Sequence, residues 1–246
     1  MPNNEMKYYK AIAIIGPTCA GKTEVAVQIA KNTGLGEMVN MDKMFLFKHF
    51  RISSGLTDLF KENNIKKHLY ELLEPDEEII PPAEYIQMMQ NTCSEILSNN
   101  RLPILEGGST TYVPAFLEIN TKKKFCWPVI GLRFSHQSDI RNIISQRLDA
   151  ALKMGLLDET KENIKKYKNS LGILDGHAVV PLVRYFEWTI DLAAAKEEII
   201  TRCLNYIHKQ MDVFTKYPGI IWLEHKPTRL SETVKKIKLI LQENER

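Results

Sequence analysis

Apolar and polar positions along this chain fall into blocks that read as strand, helix, strand. Ala11-Ile12-Ala13-Ile14-Ile15 is an unbroken apolar run, short enough for a strand buried on both faces. From Thr23 to Thr33 the residues Val25, Ala26, Ile29 and Ala30 share one helical face, and Gly34 ends the helix. Glu37-Met38-Val39-Asn40-Met41 predicts a second strand and leaves Asp42 at its carboxyl end. Leu102-Pro103-Ile104-Leu105 predicts a third, running into Glu106-Gly107-Gly108-Ser109, and Pro128 to Phe134 predicts a fourth. Between the second and third strands Pro75, Pro81 and Pro82 break the chain before a helix over 83–98.

The C-terminal half reads as mostly helical. Ile140, Ile143, Ile144, Leu148, Ala151 and Leu152 recur at helical spacing and predict a core face, with Arg141 and Arg147 off that stripe. A second helical stretch runs from about Leu192 to Phe214. Tyr217-Pro218-Gly219 then leads into a short apolar strand, Ile220-Ile221-Trp222-Leu223.

The turn after the first strand carries the chemistry. Gly16-Pro17-Thr18-Cys19-Ala20-Gly21-Lys22-Thr23 has the G-x-x-x-x-G-K-[ST] spacing of a phosphate-binding P-loop, with a buried strand before it and an amphipathic helix after it. Glycines let backbone N–H groups converge on phosphate oxygens, and the helix adds its positive end. Lys22 would reach a terminal phosphate, and the Thr23 hydroxyl would ligate Mg²⁺. The expected fold class is α/β: a P-loop NTPase-like parallel sheet flanked by helices, with a mostly helical C-terminal part. Residues 1–135 form the expected core. Residues 136–246 are expected to complete the active site, with a short strand near 220–223. Asp42 at a strand's carboxyl end falls beside whatever the loop holds.

Composition narrows the class only slightly. The 246 residues are 44% hydrophobic and 26% charged, ordinary for a soluble globular protein. A net charge of +3 does not by itself argue for nucleic acid. Lys66-Lys67, Lys122-Lys123-Lys124 and Lys235-Lys236 read as solvated faces and a loop. Cys19, Cys93, Cys126 and Cys203 are scattered, without metal spacing, and read as reduced thiols. Without a signal-peptide core or a membrane-length apolar run, the expectation is a cytoplasmic monomer with no membrane partner.

Three reaction classes use such a loop: phosphoryl transfer by a nucleotide kinase, a nucleotide-driven switch or motor, and a transferase whose bound diphosphate leaves. A kinase lid rich in arginine finds thin support in Arg133 and Arg141. The Glu106 after Leu102–Leu105 imitates the acid of a motor, yet two glycines follow it, as in a turn that hugs a ligand.

Gly-Pro-Thr-x-x-Gly-Lys-Thr, Asp42 about twenty residues on, and Leu105-Glu106-Gly107-Gly108-Ser109 resemble the isopentenyl (dimethylallyl) transferases, which prenylate the exocyclic N6 of adenine. That family has a branch acting on free adenine nucleotides and a branch acting on adenosine 37 of tRNA. Phe125 through Trp127 to Arg147 resembles the small bacterial adenylate enzymes. Only about twenty residues separate Ser109 from Pro128, too few for the helical domain that the tRNA branch inserts there. Ser53-Ser54-Gly55 matches a Ser-Gly pair that contacts the acceptor's phosphate. Leu174-Asp175-Gly176-His177 resembles an Ile-Asp-Gly-Tyr whose Asp binds adenine. Other segments lean to the tRNA branch: His68-Leu69 through Glu74-Pro75-Asp76, and Tyr206-Ile207-His208-Lys209-Gln210, similar to its Tyr-Ala-Lys-Arg-Gln. Lys209 stands where the bacterial enzymes place a His linked to a hydroxylated donor, so plain dimethylallyl diphosphate is the implied donor. Leu56 departs from the family's Arg or Lys after the Gly.

The resemblance implies transfer of a dimethylallyl group from dimethylallyl diphosphate to N6 of AMP, ADP or ATP, with Mg²⁺ as cofactor and tRNA as the alternative acceptor. It implies catalytic roles for Asp42, Thr18 and Arg147. The diphosphate would be held by Gly16, Pro17, Thr18, Cys19, Ala20, Gly21, Lys22, Thr23, Arg147 and Lys209, with the metal on Thr23. The acceptor would be held by Asp42, Ser54, Gly55, Gly108, Ser109, Asp175 and Tyr206. Plainer readings stand beside these: Asp42 as a helix cap, Arg147 as a solvated helix arginine and Asp175 as a turn residue.

Overall fold

A computed structural model describes residues 11–56, 58–121, 127–167, 170 and 176–243. Its centre is a six-stranded sheet in which every pairing is parallel. In chain order the strands are β1 (Ile12–Ile15), β2 (Gly36–Asn40), β3 (Lys67–His68), β4 (Leu102–Gly107), β5 (Val129–Phe134) and β6 (Ile220–His225). In space they run β3-β2-β4-β1-β5-β6. The chain leaves β1 on one side and later returns to β5 on the other. The carboxyl ends around β1 therefore form the crevice where open α/β sheets bind ligands.

Alternation along each strand builds two cores. Ile12, Ile14, Met38, Ile104, Ile130 and Leu132 face α1 (Lys22–Thr33) and the C-terminal helix α10 (Leu230–Glu243). Ala13, Ile15, Val39, Met41, Leu105 and Val129 face the layer of α4 (Pro82–Ser98) and α5 (Tyr112–Thr121). Side chains buried on both faces explain why these strands read as apolar runs. Truncating one, such as Ile14, would cost about 2–5 kcal/mol.

A third core joins α6 (Gln137–Lys153), α7 (Leu156–Lys166), α8 (Val179–Phe186) and α9 (Leu192–Phe214). Ile140, Ile144 and Leu148 of the predicted stripe are buried in it. Asp191 caps α9: its Oδ1 accepts the Ala194 N–H at 2.7 Å. Between β2 and β3 lie the short helices α2 (Arg51–Ser54) and α3 (Leu59–Glu62). Leu56 is buried with Phe45, Phe60 and Tyr70, which is why an apolar residue stands there in place of a cation.

Helices α2, α3 and α5 and strand β3 carried no sequence expectation, and two strands differ from theirs by more than one residue. β3 is two residues long and offers no periodicity to read. β4 continues through Glu106 and Gly107 because β1 and β2 pair with it on both sides, with Glu106 opposite Ile14 and Asn40. β6 extends to His225 and pairs with β5 along its whole length, so the sheet draws on both halves of the chain. Among the described residues no helix is long and apolar enough to cross a membrane.

Candidate active site

The loop between β1 and α1 is held in a conformation that its glycines permit. Gly21 has φ 77° and ψ 21°, a left-handed geometry at the helix N-cap. A Cβ there would meet the His225 Nε2 at 2.7 Å, so the position excludes side chains on two counts. Lys22 Nζ donates to the Pro17 carbonyl at 2.9 Å, and the Ala20 N–H bonds the same oxygen at 3.3 Å. The Thr18 N–H is taken by Gln210 Oε1 at 2.9 Å. The amides of Cys19, Gly21, Lys22 and Thr23 have no acceptor among the described residues. A turn of unsatisfied N–H groups opening a twelve-residue helix is an anion cradle. Burial lowers the Lys22 pKa, and the charges of Asp42 and Glu106 oppose that shift.

Two carboxylates stand at neighbouring strand ends. Glu106 is 0% exposed and has both oxygens engaged. Thr23 Oγ1 donates to its Oε2 at 3.1 Å, and the Tyr70 hydroxyl donates to its Oε1 at 2.9 Å. Burial pushes its pKa up to about 7. The Asp42 charge adds to that, while Lys22 and the two hydroxyls oppose it. Tyr70 is itself driven well above its usual range by burial and by Glu106, which keeps it a donor. Asp42 is aimed by Asn40, whose Oδ1 accepts the Asp42 N–H at 2.6 Å and whose Nδ2 donates to the Asp42 carbonyl at 2.9 Å. Asp42 Oδ1 accepts the Met44 N–H at 3.1 Å. This is an Asx turn just ahead of the short helical turn Met44–Leu46, whose N-cap is Lys43, so Asp42 is not the cap itself, and the bond fixes the direction of the carboxylate.

Two cavities open here. A recess of about 50 Å³ is lined by Lys22, Thr23, Cys19, Gly55 and Arg147, among others. A larger cavity of about 300 Å³ is lined by Lys43, Ser53, His177, Tyr206, Lys209 and the Thr110-Thr111 pair. Thr18, Asp42 and Ser54 are walls of both. Arg147 reaches the recess from α6. The Cys19 sulfur is the main influence raising its pKa, through its charge and a hydrogen bond, and the guanidinium lies 2.8 Å from where a Gly55 side chain would begin. Arg147 is exposed to solvent as a helix residue, as its plainer reading has it, and its guanidinium also forms part of the recess wall.

Helix α9 closes the site. Gln210, 1% exposed, donates from Nε2 to the Gly108 carbonyl at 2.6 Å while its Oε1 holds Thr18. One to two turns earlier on α9, Cys203 and Tyr206 face the larger cavity, and the Tyr206 ring meets the His177 ring at 4.4 Å. Behind the loop, His225 is 3% exposed. Its Nδ1 is paired with Thr233 Oγ1 at 2.8 Å, and its Nε2 has no partner among the described residues.

Most sequence-predicted site residues converge: Thr18, Cys19, Gly21, Lys22, Thr23, Arg147, Asp42, Ser54 and Tyr206 line one cavity or both. Four are placed differently. Lys209, expected on the diphosphate, lines only the larger cavity. Gly55, expected on the acceptor, lies in the recess against Arg147. Gly108, also expected on the acceptor, packs within 2.7 Å of the Gly16 carbonyl, measured from its would-be Cβ, with Lys22 Nζ at 3.3 Å. Ser109 borders the larger cavity, but its hydroxyl is spent on the Thr111 and Tyr112 amides at the start of α5. Asp175 lies outside the described residues. Sequence reasoning did not single out Glu106 as the partner of Thr23, although a carboxylate ending an apolar strand was its signal. Lys43 carried no local signal, while Gln210 and His177 each end a segment quoted for its resemblance but were given no role of their own.

A family model described as Isopentenyl transferase matches residues 9–215. A tRNA dimethylallyltransferase of Solibacter usitatus is 36% identical over 107 residues, 44% of this chain and 34% of its own length. Adenylate isopentenyltransferase 7, mitochondrial, of Arabidopsis thaliana is 26% identical over 214 residues, 83% of this chain and 63% of its own. The chain thus matches between a third and just under two thirds of these curated relatives. Among solved structures, a tRNA isopentenylpyrophosphate transferase from Bacillus halodurans superposes with a TM-score of 0.80 at 19% identity, covering 96% of this chain and 97% of that one. One from Staphylococcus epidermidis gives 0.83 at 18%, covering 96% and 99%. At such identities these two establish the shared fold.

Proposed function

The chain belongs to the isopentenyl transferase family, and from that premise we propose that it moves a dimethylallyl group from dimethylallyl diphosphate to N6 of the adenine of a free nucleotide, AMP, ADP or ATP. The observation that carries this reading is the shared wall: Thr18 and Asp42 border both the phosphate-sized recess and the nucleotide-sized cavity. A diphosphate in the recess would present its allylic carbon to a group lying against Asp42 in the larger space.

Adenine's amino group is a weak nucleophile, because its lone pair is delocalised into the ring. As the N6–C1 bond forms, the C1–O bond to diphosphate breaks and the amine sheds one proton. The Asp42 carboxylate accepts that proton. Such a general base is typically worth about 10²–10⁴-fold. Negative charge grows on the leaving diphosphate, where Lys22, Arg147, the Thr18 hydroxyl and the free loop amides are already oriented.

The Thr23 hydroxyl lines the recess and is held from behind by the buried Glu106 carboxylate; it is a hard oxygen donor of the kind that suits Mg²⁺ together with substrate phosphates. When bound there, the ion would neutralise charge on the diphosphate. Lys43 and Lys209 supply cations to the larger cavity, and Ser53, Ser54, Thr110 and Thr111 supply hydroxyls. These groups favour an acceptor that carries its own phosphate. At about 300 Å³ the cavity is at the lower end of small-molecule sites.

The test is one incubation with Mg²⁺ in three arms, read by mass. AMP with dimethylallyl diphosphate should yield AMP carrying one five-carbon unit. AMP with ATP tests for a kinase, and ADP as the sole product would overturn the reading. Unmodified tRNA with dimethylallyl diphosphate tests the other acceptor. Prenylated tRNA alongside unreacted AMP would move the assignment to the tRNA branch.

A further inference from the structure

Gln210 ties α9 to both halves of the phosphate cradle. Its carboxamide is fully used: Oε1 accepts from the Thr18 N–H at 2.9 Å, and Nε2 donates to the Gly108 carbonyl at 2.6 Å. These partners are 192 and 102 residues away in sequence, and all three segments meet where only a glycine at 108 fits. The same helix sends Cys203, Tyr206 and Lys209 to the larger cavity. At 3.6 residues per turn, Tyr206 and Cys203 lie about one and two turns before Gln210 on nearly the same face, and Lys209, its chain neighbour, is about 100° round the helix.

We propose that Gln210 is a positioning residue: it fixes the shape of the P-loop from α9, so that the diphosphate cradle and the acceptor wall move as one unit. By occupying the Thr18 N–H it leaves the amides of Cys19, Gly21, Lys22 and Thr23 to face an anion, and it holds the Thr18 hydroxyl at the seam between the cavities. Without it, a buried N–H and a buried carbonyl lose their partners at once, and the loop relaxes to find others. This inference rests on the recess being a diphosphate site.

The experiment measures binding of inorganic diphosphate, with Mg²⁺, by titration calorimetry to wild type, Gln210→Leu and Gln210→Glu at pH 5.5 and pH 8.5. Each variant is compared with wild type at the same pH, which cancels the titration of diphosphate, Glu106 and Asp42. Gln210→Leu should bind about tenfold more weakly at both values. Gln210→Glu is the sharper probe. Protonated, its carbonyl still accepts from Thr18 and its O–H still donates to Gly108. Ionised, it keeps the first bond and turns a negative oxygen on the Gly108 carbonyl. Its affinity should therefore lie within about twofold of wild type at pH 5.5 and fall about tenfold at pH 8.5. Lys22 from α1 and Lys209 on the same helix set where that change is centred.

A role confined to stability would lower the melting midpoint of either variant without this pH-dependent recovery of affinity. Wild-type affinity in Gln210→Leu, or an equal loss in Gln210→Glu at both pH values, overturns the proposal. Should Gln210→Leu fail to fold, the two-pH comparison of Gln210→Glu decides alone. Absence of diphosphate binding in wild type would overturn the reading of the recess and this inference together. Tight wild-type binding with unaffected variants would overturn only the inference.

Discussion

The recess and the larger cavity lie wall to wall, yet they are built in opposite ways. The recess takes five lining residues, Thr18, Cys19, Gly21, Lys22 and Thr23, from one turn that also carries the four amides without an acceptor among the described residues. The cavity beside it is assembled from the ends of β2 and β4, from α2, from the start of α8 and from α9, each giving one to three side chains. Phosphate is small, doubly charged and symmetric enough for backbone dipoles to recognise. A purine edge is not, and its recognition requires side chains from distant parts of the chain. Affinity for the donor should therefore be robust to changes across the larger cavity, and acceptor choice should be sensitive to them.

The seam is where this division can be broken most severely. Asp42→Asn keeps an oxygen for the Met44 N–H but removes the base, so turnover should fall by about 10²–10⁴-fold. Inorganic diphosphate affinity should stay within about threefold of wild type and the melting midpoint should hold. A variant that turns over normally would remove Asp42 from the chemistry. On the recess side alone, Lys22→Met should weaken diphosphate binding by about a hundredfold, the loss of a charge-assisted contact in a half-buried site, with little change in AMP affinity measured separately. Equal losses for both ligands would mean that the two spaces are not independent.

Glu106 sharpens the contrast through pH. Its folded pKa of about 7 lies above the ordinary 4.5, so the folded protein holds this proton across that window while the unfolded chain releases it. Wild-type stability should fall as pH rises from 4.5 to about 7 and then level off. Glu106→Gln removes that dependence. In metal-free buffer the variant should gain on wild type through the window, reaching on the order of 1–3 kcal/mol above pH 7. Thermal melts at stepped pH check this, and a constant difference would show that Glu106 does not titrate there. The smallest effect belongs to the far wall. His177→Ala removes the ring that meets Tyr206, a contact worth about 0.5–1.5 kcal/mol, and should raise the AMP KM several-fold while the donor KM stays put.

The same division explains what could be read before any coordinates. The cradle was legible because its logic is local: a buried run, two glycines at fixed spacing and a helix that follows. Helix α9 has the bounds its periodicity predicts, since 23 residues of pattern leave little freedom. Asp42 was found by following a strand to its end. Gln210 and Glu106 were harder, because neither owes its role to its neighbours in sequence. Lys209 lines the larger cavity and not the recess for a geometric reason: successive helical residues point about 100° apart. Once Gln210 turns to the P-loop, Lys209 must turn elsewhere. Ser109 borders the larger cavity, but its hydroxyl serves the start of its own helix.

His225 sets the order in which the enzyme can be completed. Its ring, on the outermost strand of the sheet, backs the Gly21 turn that was synthesised about two hundred residues earlier. A nascent chain with its first strand and helix already out of the ribosome still lacks the piece that walls in the cradle. The loop after β1 is thus backed by one of the chain's later segments, and its final shape waits on the arrival of β6.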